Sequence, residues 1–267
     1  MSASSSSDIL ARFEKLVRRR AVSSDLAWRM ESGEGFLRAL GPSPSPFDNS
    51  LCWAHTDEEN VEAVIAAQMA YFRSLGRAFM WKVYTQDSPS DLETRLLRAG
   101  FEVQAHVTLV VLDTARSQPA TALPPGVEIR RVDDATGLAA AMKVQEVVWS
   151  QDCQWLHDAL KEELRTQPDT LSIFVGWSEG RPVCSSWIRI EEGAPFASLW
   201  GGSVLPDFRG RGFYRAMVAA RAEVARQRDI AHLYVEAGDM SRPILERLGF
   251  QALSQVAKCI YRPPGVA

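Results

Sequence analysis

The period at which apolar and polar residues alternate changes along the chain and marks out its elements. From Val127 to Val132 the two classes alternate as on a half-buried strand, and Asp133-Asp134-Ala135-Thr136 offers capping side chains for a helix reaching about Trp149. A second helical segment is expected over Gln154–Gln167. The apolar runs Leu171–Trp177 and Val183–Ile190, joined through Ser178-Glu179-Gly180-Arg181-Pro182, read as a hairpin. A further strand, Phe196–Leu205, leads through Pro206-Asp207-Phe208 into the glycine-rich run Arg209-Gly210-Arg211-Gly212. A helix over Tyr214–Arg228, a strand over His232–Glu236, a helix over Ser241–Leu248 and a strand over Gln251–Tyr261 complete the pattern. This order predicts an α/β (α+β) architecture with a mixed, mostly antiparallel central sheet flanked by helices.

The first half repeats part of that plan. A helix over Asn60–Leu75 precedes a strand at Phe79–Tyr84, then a helix carrying Leu92, Leu96 and Leu97 ends in Ala99-Gly100-Phe101, and a strand follows at Val103–Leu112. The second half runs the same way through Leu248-Gly249-Phe250, so the chain reads as two tandem copies of one domain. Upstream of Asn60 the plan is less legible, and the acidic run Asp57-Glu58-Glu59 stands where the glycine-rich turn would be. The first copy is therefore expected to be degenerate and to bind no polyphosphate. The mixture of Pro, Ser, Thr and Gly over 116–126 reads as a linker, which gives domains at 1–115 and 127–267.

Composition narrows the chemistry. The net charge of −3 comes from interspersed acids and bases, without the cationic stripe that nucleic acid demands. No apolar run has the length of a membrane span, and no apolar leader follows the polar Met1–Asp8, which makes the cytoplasm the expected location. Cys52, Cys153, Cys184 and Cys259 form no close pair, and with four His and no metal-ligating spacing no metal site is expected. The thiols read as reduced groups in or near apolar cores.

The strand, glycine-rich turn and helix at 196–228 present unpaired backbone N–H groups at the positive end of a helix dipole, which is an anion cradle. Gly210 and Gly212 permit close approach and unusual backbone angles, so that the N–H groups of Arg211 through Tyr214 converge on a diphosphate with Arg209 and Arg211 adding charge. Neither a P-loop nor a dinucleotide fingerprint is present.

The run Val204-Leu205-Pro206-Asp207-Phe208-Arg209-Gly210-Arg211-Gly212, with the helix, strand and helix ending in Leu248-Gly249-Phe250 behind it, resembles the GNAT superfamily of N-acetyltransferases. The resemblance implies acetyl-CoA as co-substrate, with Val204 and Leu205 facing the pantetheine arm and Arg209, Gly210, Arg211, Gly212, Phe213 and Tyr214 around the pyrophosphate. It implies transfer of an acetyl group to a primary amine of a small molecule, a peptide N-terminus or a lysine, and it leaves a homodimer open. Tyr214 stands where the family motif ends in Gly or Ala. The places of the family's Asn and acidic Tyr are held by Gly238 and Leu245, and Leu245 has no proton to give. Proton donation passes to Tyr214, Ser241 or Tyr261. Glu236 is the first candidate base, with Glu191 and Glu192 behind it, and His157 and Asp158 fall where the acceptor site is expected. Trp149 and Trp155 are the expected walls of that site. Loss of the usual Asn and Tyr also keeps a non-catalytic acyl-CoA-binding or sensing module in view.

Overall fold

In a computed structural model of the 267-residue chain, residues 5–20, 28–117, 126–191 and 193–266 are described. The expected linker at 116–126 lies for the most part outside them, as does Glu192. Contacts divide the chain into one unit formed by Met1–Val110, Glu236–Arg242 and Ala252–Ala267, and a second formed by Val111–Val235 and Pro243–Gln251. The sequence division at 116–126 assigns everything after residue 127 to one domain. The contact division instead gives the chain's last strand to the first unit.

The first unit begins with helix α1 (Ser6–Phe13), whose N-terminus is closed by reciprocal bonds between Ser5 and Asp8, and one π-helical turn over Glu14–Arg18. Strands β1 (Arg29–Gly33), β2 (Phe36–Leu40) and β3 (Asn49–Ala54) follow, then α2 (Val61–Ser74), β4 (Phe79–Tyr84), α3 (Leu92–Arg98) and β5 (Glu102–Asp113). With the last strand, β11 (Gln251–Tyr261), they give the order β1-β2-β3-β4-β11-β5. Strand β11 runs antiparallel to β4 from Val256 opposite Tyr84 to Tyr261 opposite Phe79. Sequence periodicity does not announce β1 to β3, because β1 is polar and largely exposed and β2 and β3 are only five and six residues long. The core gathers Leu51, Ile65, Phe72, Phe79, Trp81, Leu92 and Leu96 under α2 and α3. The Phe72 and Phe79 rings stack with centroids 4.0 Å apart.

In the second unit β6 (Val127–Val132) leads into α4 (Ala135–Trp149), capped by the Asp134 side chain on the Gly137 N–H, and α5 (Gln154–Thr166). The strands β7 (Leu171–Ser178), β8 (Arg181–Ile190) and β9 (Phe196–Val204) form an antiparallel meander with β6 at its edge. After a 3₁₀ turn at Pro206–Phe208 come α6 (Phe213–Gln227), β10 (His232–Ala237) and α7 (Arg242–Arg247). The order is β10-β9-β8-β7-β6, with β10 parallel to β9. Residues 171–176 of β7 and 183–188 of β8 are buried without interruption, as strands covered on both faces must be. Helices α4 and α5 pack through Leu138, Met142 and Leu160 on the face of Ile173 and Val175, while Phe213 of α6 approaches Gly176 on the other. The mixed, mostly antiparallel sheet with flanking helices that the pattern predicts is thus the observed fold. Among the described residues no helix is long and apolar enough to cross a membrane.

Phe72 is fully buried and stacked, so Phe72→Ala removes both transfer energy and a ring contact. The expected loss is about 3–5 kcal/mol, read as a fall in the midpoint of urea unfolding followed by tryptophan fluorescence.

Candidate active site

The site is built on strand β9. Parallel pairing with β10 covers His232 opposite Phe196, Leu233 opposite Ala197 and Tyr234 opposite Ser198, and stops there. From Leu199 to Val204 that edge of β9 has no strand partner among the described residues. Backbone N–H and C=O groups need partners, so an extended, amide-bearing ligand laid in this splay can pair with the edge as another strand would. On the opposite edge the register with β8 slips between Ser185 opposite Ser203 and Trp187 opposite Trp200, which leaves one extra residue in β9 at Gly201-Gly202. Gly201 has φ +57°, and a Cβ there would stand 1.8 Å from Cζ3 of Trp187, so both backbone and space require glycine.

The bulge is held from both faces. On the α4 side the buried carboxamide of Gln145 donates through Nε2 to the Gly201 carbonyl (2.7 Å) and to Ser185 Oγ (2.7 Å). Its Oε1 accepts from Ser203 Oγ (3.1 Å) and from the indole N–H of Trp149 (2.9 Å). On the α6 side buried Arg221 donates through Nη1 to the carbonyls of Trp187 (3.5 Å) and Trp200 (3.4 Å). Burial, with no carboxylate partner among the described residues, pushes the Arg221 guanidinium down to about 10, with partial compensation by Tyr214 and Cys184, and leaves it charged near neutrality. Neither Gln145 nor Arg221 stands out in the sequence. The one available signal was Gly201-Gly202 inside a strand, which marks a bulge or a close approach.

Beyond β9, Val204 is half-buried, and Leu205 is buried with its N–H on the Val183 carbonyl (2.9 Å). The loop residues Arg209, Gly210, Arg211 and Gly212 are exposed. Gly210 and Gly212 have φ +75° and +87°, and a Cβ on either would meet nothing within 4 Å. Their space is open toward solvent, and no described backbone carbonyl accepts from the N–H groups of Gly210 through Phe213. Phe213 is buried and anchors the first turn of α6. The Arg209 side chain turns back to the Val204 carbonyl (3.2 Å), and Arg211 lies over the Phe208 ring at 5.1 Å. These residues fit a diphosphate: open space at Gly210 and Gly212, donors at the head of a 15-residue helix and the two arginines beside them. The Tyr214 ring points the other way, onto β9, and would lie 3.0 Å from a Cβ on Gly202. A tyrosine in place of the small residue therefore does not obstruct the cradle.

The proton-handling candidates are scattered. Glu236 receives Lys82 Nζ at 2.7 Å and Lys258 Nζ at 2.9 Å, with the Tyr84 hydroxyl at 3.3 Å. Burial alone would raise its carboxyl, but the two ammonium groups outweigh it and bring it down to about 2. Ser241 donates to the Gly238 carbonyl (3.2 Å) at the start of α7, and Leu245 is fully buried. Tyr261 is buried in the first unit's core, its hydroxyl receiving Arg73 Nη2 at 2.9 Å. Glu191 accepts from the Tyr234 hydroxyl (2.9 Å) and from Ser198 Oγ (3.4 Å), the last residues paired before β9 and β10 part. His157 pairs with Asp158 (3.0 Å) on α5. Trp149 and Trp155 are each 62% exposed, and Trp149 is tied to the bulge through Gln145. Cys153, Cys184 and Cys259 are buried, and burial pushes the Cys184 and Cys259 thiols up to about 12.

The first unit repeats the splay but fills it. Strands β3 and β4 pair in parallel only at Ser50 opposite Met80 and Leu51 opposite Trp81. Just beyond, Arg18 donates to the carbonyls of Cys52 in β3 (3.2 Å) and Lys82 in β4 (3.4 Å), and to both oxygens of Asp87 (2.6 Å). At the head of α2 the Asp57 carboxylate takes the N–H groups of Glu59 (2.9 Å) and Asn60 (2.8 Å). Two N–H groups at the head of α2 are thus taken by a side chain of the same unit.

Residues 138–250 match the model of the acetyltransferase (GNAT) family. Among solved structures, a GCN5-related N-acetyltransferase from Kribbella flavida aligns at 15% identity over 97% of this chain and 94% of its own, with a TM-score of 0.68. A tandem GNAT protein from the clavulanic acid biosynthesis pathway aligns at 13% identity over 95% and 92%, with a TM-score of 0.66. A GCN5-related N-acetyltransferase from Sphaerobacter thermophilus aligns at 14% identity over 87% and 82%, with a TM-score of 0.62. The whole chain therefore has the tandem GNAT fold. No curated protein sequence matches it.

The lowered carboxyl of Glu236 has a consequence for stability. A depressed folded-state value stabilises the fold above the ordinary value of 4.5, and that contribution disappears as pH falls toward 2. Glu236→Gln is expected to cost on the order of 2 kcal/mol at pH 7, by leaving two lysines facing each other, and progressively less between pH 4.5 and 2. Urea unfolding of both proteins across that range measures the difference.

Proposed function

We propose, from the premise that residues 138–250 form a GNAT-family acetyltransferase domain, that this protein transfers an acetyl group from acetyl-CoA to the primary amine of a small molecule. The observation that carries the reading is the unpaired β9 edge from Leu199 to Val204 running directly into the open loop Arg209–Gly212. One segment thus offers a backbone ladder to a pantetheine arm and, at its end, N–H groups and arginines to a diphosphate. A peptide N-terminus or lysine presents the same nucleophile and remains within this reading.

In the reaction the neutral amine attacks the thioester carbonyl, a carbon–nitrogen bond forms, and the carbon–sulfur bond breaks to release coenzyme A. Val204 and Leu205 align the pantetheine arm. The N–H groups at Gly210 through Tyr214, with Arg209 and Arg211, hold the diphosphate. Tyr214 is the phenol beside the β9 bulge and is assigned as proton donor to the departing thiolate. Ser241 is a weaker donor, because its hydroxyl already bonds Gly238. Glu236 was the first base suggested by the sequence, yet a carboxylate brought to about 2 by two lysines is a poor proton acceptor. Glu191, which reaches the last β9–β10 pair, takes that role in this reading. Trp149 and Trp155 offer exposed apolar surface to the acceptor. Residues 1–115 act as scaffold and 127–267 as the catalytic part, across the linker at 116–126.

The second reading, an acyl-CoA sensor without turnover, draws on one fact: Leu245 is fully buried where the family places a proton donor. Both readings require cofactor binding. Acetyl-CoA at about a hundred times its dissociation constant is expected to stabilise the protein by about 2.7 kcal/mol, read as a rise in Tm. Gly212→Glu, which sets a like charge in the cradle, is expected to abolish that rise. Thiol release with a panel of primary amines then separates transferase from sensor, and silence across the panel favours the sensor.

A further inference from the structure

The carboxamide of Gln145 has only one orientation compatible with its partners. A backbone carbonyl can only accept and an indole N–H can only donate, so Nε2 must face Gly201 and Oε1 must face Trp149, as observed at 2.7 and 2.9 Å. Ser185 and Ser203 complete its bonding, and the group is buried. A buried amide with its hydrogen-bonding capacity used on two strands and its own helix is rigid, because any rotation leaves unpaired polar atoms.

This rigidity is transmitted to the bulge. In a trans peptide the N–H points opposite to the C=O. The Gly201 carbonyl is drawn toward α4 by Gln145, so the N–H of Gly202 is directed away from α4, toward the side on which a Cβ of the exposed Gly202 would meet the Tyr214 ring. Gly201 and Gly202 lie in the register slip with β8, and β10 has already parted from β9, so neither neighbour pairs with Gly202 as a strand partner. Arg221 fixes the preceding carbonyl, that of Trp200, from the α6 face. Gly201 thus lies between two anchored carbonyls, and the peptide that carries the Gly202 N–H has one of them as its own C=O.

We infer that Gln145 is a positioning residue, which through the Gly201 carbonyl aims the Gly202 N–H at the thioester oxygen of bound acetyl-CoA. The inference rests on the proposed cofactor site, and what it adds there is the side chain that orients the backbone donor to the developing oxyanion. Nothing in the reaction passes through Gln145 itself. Its contribution is the direction of one N–H, and the same amide locks Trp149 beside the bulge.

The sequence provides a selective probe, since Gly201-Gly202 is its only Gly-Gly pair. In the full chain labelled with glycine carrying both a carbonyl ¹³C and ¹⁵N, Gly202 has the one amide nitrogen bonded to a labelled carbonyl, and carbonyl-edited NMR isolates it. Acetyl-CoA is expected to move the Gly202 amide proton downfield, whereas coenzyme A, which lacks the acyl oxygen, leaves it near its free position. In Gln145→Met the acetyl-specific shift is expected to vanish, with affinity for coenzyme A within about twofold of wild type and kcat down tenfold or more at unchanged KM for acetyl-CoA, within the range of losing an oxyanion donor. Gln145→Glu, which keeps the acceptor for Trp149 but has no N–H for Gly201, is expected to behave alike.

Equal Gly202 shifts with acetyl-CoA and coenzyme A in the wild type overturn the assignment without requiring any variant to fold. Retention of the acetyl-specific shift in a folded Gln145 variant overturns the role of Gln145. Failure of the wild type to bind acetyl-CoA at all overturns the proposed function, and this inference with it.

Discussion

Backbone polar groups that leave a sheet must find partners, and that requirement organises the second unit. Strand β9 keeps β10 as a parallel neighbour for three residues and then loses it. A run of peptide groups from Leu199 onward is left facing a gap, and the carbonyls of Trp200, Gly201 and Val204 are taken by the side chains of Arg221, Gln145 and Arg209. Side chains thus satisfy carbonyls. In the loop Gly210–Phe213 no described backbone carbonyl accepts from the N–H groups, and these are the donors the proposed diphosphate site uses.

The first unit shows the same topology under the opposite treatment. Its β3–β4 splay receives the guanidinium of Arg18, which is held over the Tyr84 ring at 4.1 Å and bridged to Asp87 and Glu14. The head of α2 is closed by Asp57 in place of a glycine turn. A filled splay and a capped helix are stable, because the Cys52 and Lys82 carbonyls and the N–H groups of Glu59 and Asn60 find partners within the fold. The charges of this unit are used in the same structural manner. Lys82 and Lys258 both pair with Glu236, which holds Glu236 ionised and makes it a structural counter-ion.

Much of this was legible in the sequence because it depends on local rules. Alternation in β6, the apolar runs of β7 and β8, the cap at Asp134 and the glycines before α6 each follow from a few neighbouring residues, and every element from Val127 onward lies within about two residues of where its pattern puts it. The three strands upstream of α2 were hidden, since short strands with polar residues and a proline-rich connection have no sustained period. The roles of acids were hidden as well. Glu236 looks like a base at a strand end, and only its two lysine partners, 154 and 22 residues away in sequence, reveal otherwise.

By itself, then, the sequence determined that a strand, Gly210, Gly212 and a helix follow one another, and so where the proposed anion cradle lies, since their geometry is a property of the backbone. It also determined that Asp57-Glu58-Glu59, and no glycine-rich turn, stands before α2 in the first unit. Tertiary structure alone decided how the bulge at Gly201 is aimed, which carboxylate reaches the last β9–β10 pair and which lies locked between lysines. Those outcomes depend on side chains such as Gln145, Arg221 and Lys82 meeting groups distant in sequence, and such meetings are fixed by packing, on which no local pattern bears.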